Sequence, residues 1–187
     1  MTPTRSFVLH ALRMATLALS LLVATAHADE YTDVSQLLRA GQLADALAKA
    51  DQFLGSKPKD PQMRFLKGVI QRDANKTTEA IATFSSLIEE FPELPEPYNN
   101  LAVLYAALNQ YDKARTALEM AVRTNPSFSV AHENLGDVYA KLASQEYASA
   151  LQLDKSNQTI APKLALVREL LAVSTASAKK SAAPAPK

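Results

Sequence analysis

The sequence predicts an all-α chain built from stacked antiparallel helix pairs, and three observations carry that expectation. Alanine and leucine dominate while the chain holds only 4 glycines and no tryptophan. That balance favours helix, because alanine and leucine lose little freedom on entering one. Separate classes of position also recur at one interval of 34 residues: Pro58, Pro92 and Pro126; Ala46, Ala80 and Ala114; Gly68, Ala102 and Gly136. Finally, the apolar residues inside each period fall at helical spacing. A fixed period of this size marks a solenoid, in which one unit cannot cover its own apolar face and neighbours must stack.

The elements follow in chain order. Residues 1–28 read as a secretory signal peptide. Arg5 and Arg13 supply the positive start, an uncharged run follows from Met14 to Ala26, and Ala26-His27-Ala28 is a small-residue cleavage site. The run is shorter than the roughly 20 apolar residues that a spanning helix needs. Cleavage after Ala28 therefore predicts a periplasmic protein with no integral membrane segment. The chain has no cysteine, which excludes disulfides, cysteine zinc sites and thiol catalysis. Of 20 basic and 19 acidic residues, two arginines lie in the signal, so the exported part carries 18 − 19, or −1. A near-neutral chain has no basic face for nucleic acid.

The first unit, about 29–60, keeps Gly41, Ala46 and Pro58, and Leu43, Ala46, Leu47, Ala50, Phe53 and Leu54 form its apolar stripe. The second, about 61–94, keeps Gly68, Ala80, Phe84 and Pro92 but has Arg64, Lys67 and Gln71 at positions that suit apolar groups. The third, about 95–128, opens on Pro95 and Pro97, where a missing N–H does no harm to a first turn. The fourth, about 129–157, begins with Leu135, Gly136 and Tyr139 but lacks about five residues where its two helices should turn. Those helices either fuse or pivot on a tight turn near Ser144, and the tight turn is the favoured expectation. Its second helix would hold Tyr147, Ala150, Leu151 and Leu153, and Lys155 stands where the closing proline would be. A capping helix over 160–173 offers Val167, Leu170 and Leu171 to the last unit. The Ala/Lys/Pro run 174–187 reads as a disordered tail.

The third unit runs Tyr98-x-x-Leu101-Ala102-x-x-Tyr105, then Ala114-x-x-x-Leu118, and closes on Pro126. This order closely resembles the tetratricopeptide-repeat (TPR) family. With Gly68, Ala80, Pro92, Gly136 and Tyr139 in register, the resemblance covers about Tyr31 to Asn157. It implies a right-handed superhelical solenoid of about 3.5–4 units plus the cap. It also implies a concave groove, lined by the first helix of each unit, that takes a peptide.

Catalytic chemistry has little to work with. His132 is the one histidine after the signal, and its place before Leu135 and Gly136 is that of a packed helix residue. No His-Glu-x-x-His, Gly-rich phosphate loop or Gly-x-Ser-x-Gly elbow occurs. Adjacent Glu89 and Glu90 diverge on a helix. No enzyme activity, metal or cofactor is expected.

The groove residues implied by the resemblance are Phe65, Val69 and Arg72 in the second unit. They are Asn99, Asn100, Val103 and Ala106 in the third, and Glu133, Asn134, Asp137 and Lys141 in the fourth. Asn100 and Asn134 lie one period apart and are expected at equal height. A side-chain amide both donates and accepts, so it can match a peptide backbone whatever its sequence. Leu66 replaces the corresponding asparagine of the second unit, and no basic clamp for a carboxylate recurs. The expected function is a periplasmic adaptor binding a protein or peptide of the cell envelope. The alternative is a structural protein that forms homo-oligomers through its stack ends.

Overall fold

A computed structural model describes residues 30–181, with side chains as far as Val173. The expected signal peptide and residues 182–187 lie outside that range. Every regular element among the described residues is an α-helix: α1 (30–39), α2 (Leu43–Ser56), α3 (Pro61–Asp73), α4 (Thr77–Glu90), α5 (Pro95–Ala107), α6 (Tyr111–Thr124), α7 (Ser129–Leu153) and α8 (Ile160–Ser181). The chain divides into two units, one ending at Thr83 and one beginning at Phe84.

Turn chemistry sets the helix pairs. Gly41, Asn75 and Asn109 take positive φ values of 72°, 57° and 58°. They are spaced by 34 residues each, so one αL residue ends the first helix of three successive units. The N–H of the next residue then reaches back five positions: Gln42 to the Leu37 carbonyl, Lys76 to Gln71 and Gln110 to Tyr105, at 2.9, 2.8 and 2.9 Å. This closes the orphan carbonyls of a helix end. Glycine and asparagine are the residues that tolerate the left-handed region.

In the first unit of the chain, Val34, Ala46, Ala50, Phe53, Met63 and Ile70 form a buried core, with Tyr31, Leu37 and Leu66 packed around it. Asp60 joins two elements there. One carboxylate oxygen caps α3 by accepting from the Met63 N–H at 2.8 Å, and the other accepts from the Tyr31 hydroxyl at 2.7 Å. The Tyr31 ring lies 5.3 Å from that of Phe53. In the second unit, α5 packs on α6, α6 on α7 and α7 on α8. Ala102, Ala114, Leu118 and Ala121 are buried between α5 and its neighbours.

The fourth repeat departs from the favoured expectation. No turn forms near Ser144, and α7 runs unbroken for 25 residues. The position one period after Asn109 is Ala143. Alanine is the best helix former and pays a penalty in the left-handed region, so nothing reverses the chain there. The missing length shows at the far end. The closing residues Lys57 and Asn125 donate their N–H to Phe53 and Ala121, and Asp154 donates to Ala150. Asp154 follows Asn125 by 29 residues, not 34. Asn125 and Asp154 both accept from the backbone and hydroxyl of the serine two residues on, Ser127 and Ser156. Residues 143–153 are thus the second helix of the fourth unit, fused to its first. The cap also differs in extent, since α8 continues through residues expected to be tail and ends at Ser181. The run 174–181 holds two alanines and no proline or glycine, so nothing stops the helix before it.

Candidate functional site

The residues proposed for the groove separate into two groups. Phe65, Val69 and Arg72 lie on α3 in the first unit, all half-buried. Arg72 pairs with its neighbour Asp73 at 2.8 Å. Asn99, Asn100 and Val103 on α5, with Asn134 and Asp137 on α7, belong to the second unit.

Within the second unit Asn134 and Asn100, expected at equal height facing a guest, have different surroundings. Asn134 Nδ2 donates to Asn99 Oδ1 at 2.8 Å. Asn100 is buried, and its Nδ2 donates to the Glu96 carbonyl of its own helix at 2.9 Å. The physical reason is angular. Residues 99 and 100 differ by about 100° around α5. Asn99 lies on the side that meets α7, while Asn100 turns inward and satisfies its amide locally. Tyr98, Leu101 and Ala102 are also buried, so this stretch of α5 packs on nearly every side.

Between α5 and α7 lies a pocket of about 360 Å³, lined by Ala102, Val103, Ala106, Tyr111, Leu118, Asn134, Asp137, Val138 and Lys141. Val103 is 40% exposed at its mouth. Alanine and valine make the floor; the Asn134 amide, the Asp137 carboxylate and the Lys141 ammonium stand at one wall. An apolar cavity with a few convergent polar groups is the ordinary form of a binding site. Asn134 spends one N–H on Asn99 and retains a second N–H and its carbonyl oxygen for a guest. Tyr111, Leu118 and Val138 were missed as lining residues. Tyr111 and Leu118 come from the second helix of the third unit, and periodicity within one helix does not show which residues of another close the same cavity.

His132 is exposed, not packed, and its Nε2 donates to the Pro126 carbonyl at 3.0 Å. Its role is to hold the turn into α7. Tyr139 is 47% exposed and donates to Glu119 at 3.2 Å; that bond and the carboxylate charge hold its hydroxyl above the ordinary phenol range. Among the described residues there is no cluster of three metal-ligating side chains. No described helix is long and apolar enough to cross a membrane.

Helix pairs closed by a 34-residue turn register, with a small side chain buried where the helices of the third pair approach, define a helical-repeat protein. Two models described as "Tetratricopeptide repeat" match residues 34–95 and 71–142. The chain belongs to the tetratricopeptide-repeat family. It is 34% identical over 76 residues to the tetratricopeptide repeat domain-containing protein PYG7, chloroplastic, of Arabidopsis thaliana, covering 38% of this chain and 25% of that protein. It is 27% identical over 121 residues to ER membrane protein complex subunit 2-A of Xenopus laevis, covering 60% of this chain and 41% of that protein. The chain therefore spans well under half the length of these relatives. Among solved structures, the first TPR domain of human RPAP3 superposes with a TM-score of 0.59 at 15% identity, over 63% of this chain and 92% of that one. The first TPR of Spaghetti (RPAP3) bound to the HSP90 peptide SRMEEVD gives 0.57 at 14% identity, over 61% and 90%. A thermophilic TPR protein of Thermus thermophilus gives 0.57 at 23% identity, over 74% and 79%. At these identities the structural likeness establishes the all-α helical-repeat fold.

Proposed function

We propose that the protein is a binding scaffold that holds a peptide segment of another protein against α5 and α7. The observation that carries this reading is the pocket between those helices, with its apolar floor and the Asn134, Asp137 and Lys141 wall. An extended peptide would lay an apolar side chain on Val103 and Ala106 and bond its backbone to the Asn134 amide. A related fold with a peptide bound, the Spaghetti TPR with its HSP90 peptide, supports the mode but not the partner. The acidic end of that peptide has no counterpart clamp here: Lys141 is the one cation in the pocket, beside Asp137.

The proposed compartment is the bacterial periplasm, and the proposed partner a protein of the cell envelope. Support comes from residues 1–28, with their paired arginines, apolar run and Ala-x-Ala site. Isolation of the protein from its producing cells should yield a chain starting at Asp29 in the osmotic-shock fraction; an intact Met1 start would remove the export reading.

The binding test uses a photoreactive residue at Val103, which is exposed, in place of the buried Asn100. One discrete crosslinked partner is expected. With the probe kept at Val103, Ala106→Asp combined with Asn134→Ala should abolish it while leaving helicity intact. Capture that survives the double substitution would move the site elsewhere.

A further inference from the structure

The fused fourth repeat leaves one face of α7 without the second helix that covers it in the third repeat; the C-terminal half of that face is part-covered by α8, whose Lys163 ammonium lies 5.9 Å from the Tyr147 ring centroid. In the third repeat the small residue Ala102 of α5 is 1% exposed, because α6 folds back on it through the Asn109 turn. Its counterpart in the fourth repeat is Gly136, one period on. Gly136 is exposed, and a Cβ built there would meet nothing within 4 Å. His132 and Tyr139, on the same face, are exposed as well. The register Gly68, Ala102, Gly136 thus holds in sequence, while the third member is not close-packed.

The segment that should cover this face is present in the same chain. Measured back from the closing residue, Ala114, Leu118 and Ala121 of α6 correspond to Ala143, Tyr147 and Ala150 of α7. With the turn deleted, that stripe continues straight on from the face it should pack against. Residues 132, 136, 139, 143, 147 and 150 line one side of one helix, at intervals of three and four. A straight helix cannot fold onto itself. A second copy, antiparallel across a two-fold axis near Leu142, sets Tyr147 of each α7 opposite Gly136 of the other and Ala143 opposite Tyr139. That is the pairing α5 and α6 make through their turn, where residues equidistant from Asn109 face one another.

We propose that the protein forms a two-fold dimer by helix exchange, in which residues 143–153 of each copy occupy the place on the other copy's α7 that the lost turn denies them in their own chain. Loss of a hinge turn is a known physical route to such exchange, and the same patch on both copies gives a closed, isologous pair. The interface built within each chain between α5 and α6 supplies the template and the register. This goes beyond the peptide-binding reading and is independent of it. Asn134, Val138 and Lys141 project roughly 140–200° around α7 from Gly136, so the pocket stays open in the dimer.

The test begins with sedimentation of the protein as isolated from its producing cells. A dimer mass at about 10 µM is expected; a monomer up to about 100 µM would overturn the proposal. Restoring the five deleted positions, by inserting Asn-Gln-Tyr-Asp-Lys after Leu142 as in residues 109–113, should give a helical monomer. Gly136→Leu has space in the single chain and should weaken dimerisation at least tenfold. A dimer indifferent to both changes would refute the exchange. Because the chain has no cysteine, Gly136→Cys with Tyr147→Cys gives a direct readout. The two positions lie roughly 16 Å apart along one helix, beyond disulfide reach, so only two copies can join them. Mild oxidation should link the double variant into a covalent dimer and leave each single variant unlinked. A double variant that stays monomeric overturns the proposal even if Gly136→Leu fails to fold.

Discussion

Tyr31 shows what one side chain does in the first repeat. Its hydroxyl donates to an Asp60 carboxylate that also caps α3, so a single bond ties the first helix to the start of the third. Burial foremost, and then the hydrogen bond to Asp60, push its pKa up to about 12 from the ordinary 10.0. The folded state therefore holds the proton that the unfolded chain gives up first. This contribution to stability is complete below pH 10 and is lost as pH rises toward 12. Tyr31→Phe should destabilise by about 1–2 kcal/mol at neutral pH, the cost of a hydrogen bond to a charged group. It should also flatten the fall in melting temperature between pH 10 and 12. Absorbance titration should show a late-ionising phenol in the wild type that is lost in Tyr31→Phe. A second residue-scale contrast concerns the small-residue register. Ala102→Leu should cost about 1–3 kcal/mol by overpacking, whereas Gly136→Ala should stabilise by about 0.5–1 kcal/mol, since its surroundings are open and alanine is the better helix former. Chemical denaturation of both variants, at dilutions where the chain is monomeric, checks the pair; equal destabilisation would mean that Gly136 is packed within its own chain.

At the scale of the element, a helix pair depends on one αL residue. Asn75→Val or Asn109→Val should lose about 1–2 kcal/mol, because a β-branched side chain resists positive φ, while Asn→Gly at either site should be close to neutral. Urea midpoints of the four variants would show it. The same rule explains α7. Where Ala143 takes the turn position, the polypeptide extends instead of reversing, and the apolar register alone could not reveal this. Tyr147, Ala150 and Leu151 have helical spacing in either arrangement. The alanine at position 143, compared with Gly41, Asn75 and Asn109, is the sequence signal that separates them. The amides carry a similar lesson. Asn100 and Asn134 share a repeat position, yet Asn134 bonds to Asn99 because its partner is chosen by the facing helix and not by the period.

At the scale of the molecule, a repeat array needs its last apolar face covered, and α8 does this for α7. Leu164 is 5% exposed, at the position that Leu101 and Leu135 hold in earlier repeats, allowing for the five lost residues. Leu164→Ala should therefore cost about 2–4 kcal/mol, although it lies in the segment read as a cap. Leu166→Ala, on the outward side and 66% exposed, should change stability by less than about 0.5 kcal/mol. Differential scanning calorimetry distinguishes the two, and a small loss at Leu164 would detach α8 from the fold.

The sequence by itself determined the family, the all-helical class, the 34-residue register and the apolar stripe of each repeat, though in the cap Leu170 is 57% exposed and Leu164 is the residue that packs. These depend on local propensity and on the side-chain period, which are written into neighbouring positions. Tertiary structure alone decided that the fourth pair is one helix, that Gly136 faces open space, and which amides meet in the pocket. Each of those depends on what another segment of chain does at a distance. A turn exists only if its residue can pay the strain of positive φ, and a side chain is buried only if a partner helix returns to cover it.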